Sequence, residues 1–502
     1  MGSNAGVKPA RIPRQSRAAR TILIVELAAV AVAALYFGVR LTSNSPTYYP
    51  DAQEHFKYGS TGGEILNGIP YSIWMTLPKI FGLPGGNYSS FGFLYEPGKA
   101  MPIGTSVRKY RGIDLVALNC AICHVGSVRL HPGDKPQFVP GMPSNTVDLR
   151  GYYEFLFAAA KSEKFAPGLI LGTAQSMGIH EDLINRVLLA NYAIGLTRTG
   201  LLDFESRLKP ILTNPQFGPG RIDTFSPAKA LLNFPMDQQM PDAERIGTAD
   251  LPSVWFQKKR EGMQLHWDGN NTSVQERNRS AAFGTGAFPA SLDRPAMQRI
   301  EAYIDEAAPP KYPLPVDDAL AARGKQIYAQ WCANCHGPDG RNFQAGQGDL
   351  GKVTDIARIG TDRHRLDSYT LALAVNQSLL YAGTKDPSER FSHFRKTYGY
   401  ANMPLDGIWL RGPYLHNGSV PTLRDLLEPA AKRPAKFYRG DDVFDPVKVG
   451  FVSDAAQRDG RAFFLYDTSV PGNGNQGHEG KAYGTELSPA DKAALVEYLK
   501  TF

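Results

Sequence analysis

The chain has 502 residues, of which 42% are hydrophobic and 21% are charged, a composition typical of a folded globular protein. This length is too great for one small hydrophobic core and predicts two domains or more. The formal net charge of +7 is small for such a chain. A charge of this size does not favour binding to nucleic acid, although it is compatible with an acidic redox partner.

The N-terminal segment predicts a membrane anchor. Residues 1–20 form a basic tail, and residues 21–39 are almost wholly apolar or small. An apolar run of about 18 residues or more can span a bilayer as a helix, and basic residues on its leading side stay in the cytoplasm. Signal peptides share this layout, but no small-x-small cleavage site follows the run. We therefore expect an uncleaved, single-pass signal anchor in the inner membrane, with the rest of the chain in the periplasm.

The region from 45 to 310 is rich in Gly, Pro and Asn, which predicts long loops between short helices. Apolar residues recur at helical spacing over 147–161 and 183–196, and a helix over 293–307 closes the region. The proline-rich stretch 308–315 predicts a linker. We therefore expect a first domain over 45–310.

The region from 316 to 502 is predicted to begin and end with helices. Good helix formers over 317–331 lead directly into Cys332. Near the chain end, Ser488 is the expected N-cap and Pro489 suits the first helical turn. These two helices can pack across each other, so we expect a second domain here and a mainly α fold with long loops.

All four cysteines occur in two Cys-x-x-Cys-His motifs, which comprise Cys120, Cys123 and His124 and then Cys332, Cys335 and His336. Two residues between the cysteines let both thiols reach the vinyl groups of one porphyrin, while the adjacent histidine binds the iron. A zinc ribbon would gather all four thiolates, and neither it nor a redox dithiol requires a histidine after each pair. The motifs therefore predict two covalently bound haem c groups, one in each of two c-type cytochrome-like domains.

The second axial ligand decides what each haem can do. Iron with two protein ligands only moves electrons, whereas an open iron can bind peroxide or dioxygen. For the C-terminal haem we favour His478, because its glycine-rich loop, 474–479, can approach the haem face closely. The alternatives in this domain are His364, His393, Met403 and His416.

For the N-terminal haem the candidate ligands are His131, His180 and His266, besides several methionines. The stretch with the most reactive side chains is 264–283. It offers His266 and Glu276 as acid–base groups and Phe283 as an apolar wall, and such a base could move the proton needed to split a peroxide O–O bond. The alternative is an ordinary polar loop.

Three segments resemble the dihaem cytochrome c peroxidase superfamily, which includes the methylamine-utilisation dihaem enzyme and the rubber oxygenases. They are Asn119-Cys-Ala-Ile-Cys-His124, Trp331-Cys-Ala-Asn-Cys-His-Gly337 and Tyr414-Leu-His-Asn-Gly-Ser-Val-Pro-Thr-Leu-Arg424. The resemblance covers most of the chain from about residue 49 onward. The long interval between the motifs, together with Phe93-Leu-Tyr-Glu-Pro-Gly98 and Leu265-His-Trp-Asp-Gly-Asn-Asn271, is closer to the rubber-oxygenase branch.

This resemblance implies a reactive N-terminal haem and a C-terminal haem that relays electrons. It makes His478 the second ligand of the relay haem and places Phe283 over the reactive haem, whereas Glu276 matches the distal glutamate of peroxidases only loosely. A tryptophan between the haems, Trp267 or Trp409, would carry electrons. Calcium is a family possibility for which the sequence offers no dependable ligand loop.

Three functions are compatible with these features. The first is reduction of hydrogen peroxide at the N-terminal haem, with electrons from a small donor protein relayed by the C-terminal haem. The second is oxygenation of an unsaturated or aromatic organic substrate with dioxygen. The third is electron transfer alone, with both irons six-coordinate. We expect the first, an oxidoreductase of the peroxidase type.

Overall fold

The computed structural model describes residues 17–231, 241–384 and 386–502, so most of the predicted basic tail, 1–20, lies outside the described residues. The first helix, α1, spans Arg17–Thr42 and is exposed along almost its whole length. It contains the predicted apolar segment, 21–39, and extends beyond it at both ends. Because it is long and apolar enough to cross a membrane, it fits a signal anchor or a membrane span.

Between α1 and residue 310, short helices alternate with short strands. The helices are Ala52–Tyr58 (α2), Glu64–Asn67 (α3), Tyr71–Ile80 (α4), Ala121–His124 (α5), Leu149–Lys161 (α6), Pro167–Ser176 (α7), Leu183–Leu188 (α8), Ile194–Leu212 (α9), Ser226–Leu231 (α10), Val274–Gly284 (α11) and Arg294–Glu306 (α12). The strands are Asn44–Pro46 (β1), Ile69–Pro70 (β2), Thr105–Tyr110 (β3), Ile113–Leu118 (β4), Val125–Val128 (β5), Gln137–Pro140 (β6), Arg221–Asp223 (β7) and Thr248–Asp250 (β8).

After residue 316 the same alternation continues. The helices are Asp318–Trp331 (α13), Ala333–His336 (α14), Ile356–Ile359 (α15), His364–Ser368 (α16), Leu371–Leu379 (α17), Leu423–Leu426 (α18) and Pro489–Leu499 (α19). The strands are Val353–Asp355 (β9), Gly399–Ala401 (β10), Lys436–Arg439 (β11), Phe444–Asp445 (β12), Gly450–Phe451 (β13), Gln457–Arg458 (β14), Arg461–Ala462 (β15) and Phe464–Asp467 (β16). Single 3-10 turns occur at Pro84–Gly86, Ser89–Phe91, Asp242–Glu244, Gln257–Arg260, Pro387–Glu389, Ile408–Leu410, Ala430–Lys432 and Lys481–Tyr483.

The largest sheet has four antiparallel strands in the order β1-β3-β4-β2. Its central hairpin pairs β3 with β4 from Thr105 opposite Leu118 to Tyr110 opposite Ile113, so β4 delivers the chain directly to the first Cys-x-x-Cys-His motif. The other strands of the described chain form two-stranded pairs. The expectation of a mainly α fold therefore holds only in part, because short antiparallel pairs shape many of the long loops.

Several predicted helix boundaries are confirmed. Ser488 caps α19 by accepting a hydrogen bond from the backbone N–H of Asp491 at 3.1 Å, and Asp293 and Asp317 cap α12 and α13 in the same manner. The predicted linker, 308–315, has no regular structure. The helix predicted over 183–196 begins at Leu183 but continues through a π-helical turn into α9.

The last helix packs across the helix that enters the second motif, as the sequence predicts. At the closest point a Cβ atom on Gly324 would lie 2.0 Å from the carbonyl oxygen of Ala494, so only glycine permits this approach. Leu495, Leu499 and Phe502 are buried in the surrounding core. The position of the second motif is therefore fixed from both ends of its domain.

The segments before and after the linker share hydrophobic cores. One core contains Phe56 and Ala121 together with Leu373, and another contains Trp255 together with Trp409. Each core therefore joins residues that are far apart in the sequence, and burial of its apolar surface holds the two halves of the chain against each other.

A buried carboxylate adds a polar connection between the halves. Asp406 is fully buried and accepts hydrogen bonds from the guanidinium groups of Arg260 and Arg411. Arg260 precedes the linker and the other two residues follow it. Removal of the carboxylate would leave two buried cations without their anion, which costs far more than the loss of a surface pair.

We predict that Asp406→Ala lowers the free energy of unfolding by about 3–5 kcal/mol, the usual cost of breaking a buried ion pair. Denaturant unfolding followed by circular dichroism measures this change. Glu306→Ala is the matched control, because the Lys258–Glu306 pair is about three-quarters exposed and its loss should cost less than about 1 kcal/mol. Equal effects of the two substitutions would contradict the prediction.

Candidate haem sites

The first motif forms a single helical turn, α5, at the end of strand β4. The side chain of Asn119 starts this turn by accepting from the N–H of Ala121 at 2.9 Å and donating to the carbonyl of Gly59 at 2.9 Å. The turn leaves Cys120 and Cys123 partly buried and free of disulfides. The thiols are thus presented from one turn, as attachment to one porphyrin edge requires.

The protein environment keeps both thiols of this motif protonated at neutral pH. Burial raises the pKa of Cys120 to about 11 and that of Cys123 to about 12. Both sulfur atoms therefore lie in surroundings that disfavour a negative charge.

His124 is oriented by a carbonyl from a distant segment. Its Nδ1–H donates to the carbonyl oxygen of Pro252 at 2.9 Å, which leaves Nε2 as the unprotonated nitrogen that can bind a metal. Burial lowers the pKa of His124 to about 4, and the positive charge of Arg277 acts in the same direction. The imidazole is therefore neutral and available as a ligand over the physiological range.

The second motif repeats this arrangement. The N–H of Cys332 continues the hydrogen bonding of α13 by donating to the carbonyl of Tyr328 at 2.8 Å, and α14 follows at once. His336 donates from Nδ1 to the carbonyl of Met403 at 2.7 Å, so its Nε2 is likewise free. Met403, an alternative ligand in the sequence, thus supports the far side of the His336 ring through its backbone.

The ring of His478 lies near that of His336. The two ring centres are 6.3 Å apart with an angle of 49° between the rings. An iron–imidazole bond is about 2 Å long, so two imidazoles on opposite sides of one iron have ring centres about 6 Å apart. The spacing of the two rings therefore fits a haem iron between them.

The loop that carries His478 is built to hold this position. Arg433 donates to the carbonyls of Gly477 and His478 at 2.9 and 3.2 Å, and the N–H of His478 donates to the carbonyl of Ile359 at 2.8 Å. The backbone of His478 has a φ of +48°, a left-handed conformation that costs a non-glycine residue about 1–3 kcal/mol. Such strain is maintained only where the surrounding contacts impose it.

His266 shares these features near the first motif. Its φ is +63°, and its Nε2 is buried with no hydrogen-bond partner among the described residues. Burial lowers its pKa well below the usual value, helped by the charges of Arg277 and Arg365. Because Arg277 also acts on His124 and on Cys120, the structure brings His266 into the electrostatic neighbourhood of the first motif.

Glu276 and Phe283 both lie on α11 but have different surroundings. The carboxylate of Glu276 accepts from the backbone N–H groups of Ser392 and His393 at 2.7 and 3.0 Å and from the Nδ1 of His393 at 2.8 Å. Against the effect of burial, these bonds hold the pKa of Glu276 below its usual value. Its predicted acid–base role and the predicted covering role of Phe283, whose ring meets that of Tyr381 edge-on at 5.9 Å, stay predictions.

Glu301 is a residue that the sequence gave no reason to select. It lines a cavity of about 50 Å³ between α11 and α12, with Arg279 and Glu389 among its neighbours. Burial raises the pKa of Glu301 to about 7, and its charge in turn acts on Cys120. A carboxyl group that exchanges its proton near neutral pH therefore lies close to the first motif.

Trp267 is hydrogen-bonded to the two segments that orient the motif histidines. Its indole N–H donates to the carbonyl of Asp250 at 2.8 Å, and its own carbonyl accepts from the N–H of Ala401 at 2.8 Å. Two residues after Asp250 is Pro252, the acceptor of the His124 bond, and two residues after Ala401 is Met403, the acceptor of the His336 bond.

Short covalent segments and four hydrogen bonds thus connect the two motif histidines through Trp267. The other candidate, Trp409, is buried in a hydrophobic core, where its ring meets those of Tyr312 and Phe444 edge-on. Of the two tryptophans, only Trp267 lies on this hydrogen-bonded route.

Two family models match parts of the C-terminal half. A model described as RoxA-like, cytochrome c-like matches residues 399–439, and one described as cytochrome C oxidase, cbb3-type, subunit III matches residues 319–404. The second match includes the motif that ends at His336, and the first includes the segment 414–424. Both descriptions agree with a domain of the cytochrome c type.

Two curated relatives come from Sinorhizobium fredii. The chain is 26% identical to the uncharacterized protein y4iJ over 95% of this chain and 98% of that protein. It is 32% identical to the uncharacterized protein y4iM over 50% of this chain and 64% of that protein. Together with the geometry of the two motifs, the family matches support a cytochrome c-type haem protein similar to the RoxA-like group, with covalently bound haem c and a role in redox chemistry or electron transfer.

Proposed function

We propose that the chain is a membrane-anchored, periplasmic dihaem oxidoreductase that reduces hydrogen peroxide. Haem 1 is attached at Cys120 and Cys123 and is the reactive centre. Haem 2 is attached at Cys332 and Cys335 and passes on electrons from a small donor protein. Each haem supplies the redox-active iron, and the protein sets its ligands, its proton supply and its connection to the other haem.

The observation that carries this proposal is the difference between the two histidine environments. His336 is paired with His478 across a gap of the size of one iron, so haem 2 is closed to small molecules and suited to electron transfer. Among the described residues, no imidazole is paired with His124 in this way. A haem held by His124 would then keep one face free for an oxidant.

Reduction of one hydrogen peroxide molecule to two water molecules consumes two electrons and two protons. The site therefore needs both a route for electrons and groups that donate protons. Trp267 provides the connection between the motif histidines. His266, with its unpaired Nε2, can hold or transfer a proton beside haem 1, and Glu301, whose pKa is raised to about 7, can exchange protons near neutral pH. Phe283, which packs against the same hydrophobic core as Cys120, would make the surroundings of haem 1 apolar.

Oxygenation of an unsaturated organic substrate is the second candidate. It is supported by the match to the RoxA-like family model and by the hydrogen bonds that commit Glu276 to His393 and Ser392. Without a free distal carboxylate, a site lined by Phe283 suits an apolar substrate. This activity would consume dioxygen without added peroxide, which distinguishes it from the first candidate.

We predict that His478→Ala leaves haem 2 with one protein ligand, so that its absorption spectrum changes from low spin to high spin and it gains the ability to bind cyanide. Added imidazole should restore the low-spin spectrum, because it replaces the lost side chain. His180→Ala, at an exposed histidine, is the control. An unchanged spectrum in His478→Ala would exclude this residue as a ligand.

Trp267→Phe should slow electron transfer from haem 2 to haem 1, because it removes the indole N–H that donates to the carbonyl of Asp250. Stopped-flow absorption after rapid reduction of haem 2 measures this rate. Trp409→Phe also removes an indole N–H that donates to a backbone carbonyl, that of Pro310, and should leave the rate unchanged. Equal rates in the two variants would argue against the route through Trp267.

The function itself is tested with the purified full chain, a reduced small cytochrome and hydrogen peroxide. We expect two donor molecules to be oxidised for each peroxide consumed, with the fastest turnover when haem 2 is reduced beforehand. Absence of turnover in the oxidised, half-reduced and fully reduced protein would overturn the peroxidase proposal. Dioxygen uptake with an unsaturated hydrocarbon would then select the oxygenase, and inactivity in both assays would leave electron transfer.

A further inference from the structure

The helix formed by α8, the π-helical turn at Leu189–Ala193 and α9 exposes an unusual amount of apolar surface. Its exposed side chains are Leu183, Val187, Tyr192 and Leu196, which are 78%, 51%, 63% and 71% accessible to solvent. We name these four residues the 183–196 stripe. Large apolar side chains exposed in a row on a folded protein usually mark a surface that contacts something else.

The π-helical turn keeps the stripe on one side of the helix. Residues four apart share a face of an α-helix, and an interval of five does so where one π-helical turn intervenes. The five-residue interval from Val187 to Tyr192 crosses this turn. The intervals from Leu183 to Val187 and from Tyr192 to Leu196 are four residues each. On the opposite side, Asn185, Leu189 and Ile194 are buried against the protein.

The stripe begins beside the end of α1. Arg40, in the last turn of α1, forms an ion pair with Asp182 at 3.7 Å and a hydrogen bond with Asn185. Its side chain is only 7% exposed. Asn185 also donates to the carbonyl of Gly112 at 3.2 Å. The first turn of α8 is therefore fixed against the end of the helix that fits a membrane span.

The attachment of α1 to the rest of the protein is rigid. Ser43 alone separates α1 from strand β1, and it donates to the carbonyl of Arg40 at 2.7 Å. Strand β1 then pairs with β3. The connection between α1 and the haem-bearing part is thus one residue long and is accompanied by the polar contacts of Arg40.

We infer that the 183–196 stripe lies in the phospholipid headgroup and acyl-chain boundary of the same membrane that α1 crosses. The inference rests on the membrane anchor of the proposed function. An apolar helix face of this kind settles at the depth where its side chains leave water while its polar face stays hydrated. Arg186, exposed beside the stripe, can contact lipid phosphates there. A membrane-bound donor would then reach the protein at a fixed height.

The full chain, reconstituted in phosphatidylethanolamine and phosphatidylglycerol nanodiscs with a photoactivatable phospholipid, tests this inference by mass-spectrometric mapping of cross-links. The internal control is helix α17, where Leu371, Val375 and Leu379 are 67%, 51% and 60% exposed. Among the described residues, no hydrogen bond or ion pair joins this helix to α1. We expect cross-links in 17–42 and in 183–196, with about tenfold more in 183–196 than in 371–379, because only the stripe meets acyl chains.

Two variants sharpen the result. Leu183→Ser with Leu196→Ser should abolish lipid cross-links in α8 and α9 without changing the haem spectrum. Leu371→Ser with Leu379→Ser should change neither these cross-links nor the haem spectrum. Cross-links in 17–42 but not in 183–196 would overturn this inference and leave the anchor intact. Equal labelling of 183–196 and 371–379 would have the same consequence. Absence of cross-links in 17–42 would overturn the anchor itself, and with it this inference.

Discussion

The whole arrangement depends on two hydrogen bonds, each from the Nδ1–H of a motif histidine to a backbone carbonyl. The carbonyl of Pro252 holds His124, and the carbonyl of Met403 holds His336. Because a carbonyl only accepts, each bond selects the tautomer that leaves Nε2 unprotonated and fixes the plane of the ring. Without them, two short helical turns would carry freely rotating imidazoles, and neither could define a metal position.

These carbonyls come from segments that are themselves held by charges buried between the two halves of the chain. Asp250, two residues before Pro252, binds Arg439, and Asp406, three residues after Met403, binds Arg260 and Arg411. Buried ion pairs of this kind contribute little net stability, but their geometry admits few alternatives. They keep the distance between the motifs constant, which an electron route through Trp267 requires.

The same rigidity extends to the N-terminal helix. Arg40 joins α1 to α8, and β1 joins it to the sheet that delivers the first motif. If α1 crosses a membrane, the haem-bearing part does not move independently of it. The height of the protein above the lipid, and so the approach of any redox partner, then follows from contacts within the folded chain.

The sequence by itself determined what depends on neighbouring residues. The Cys-x-x-Cys-His turns, the caps at Asp293 and Ser488 and the apolar segment over 21–39 are local patterns, and the described structure contains all of them. His478 was selected for its glycine-rich loop and its place before the last helix, and its ring centre lies 6.3 Å from that of His336.

Tertiary structure decided what depends on partners distant in the chain. Only folding shows that Glu276 is bonded to His393, that burial raises the pKa of Glu301 to about 7, and that Trp267 is bonded to Asp250 and Ala401. Burial, a shifted pKa and a hydrogen-bonded route arise from surroundings assembled across the whole molecule. The residue types in the sequence limit these properties, but the packing of remote segments sets them.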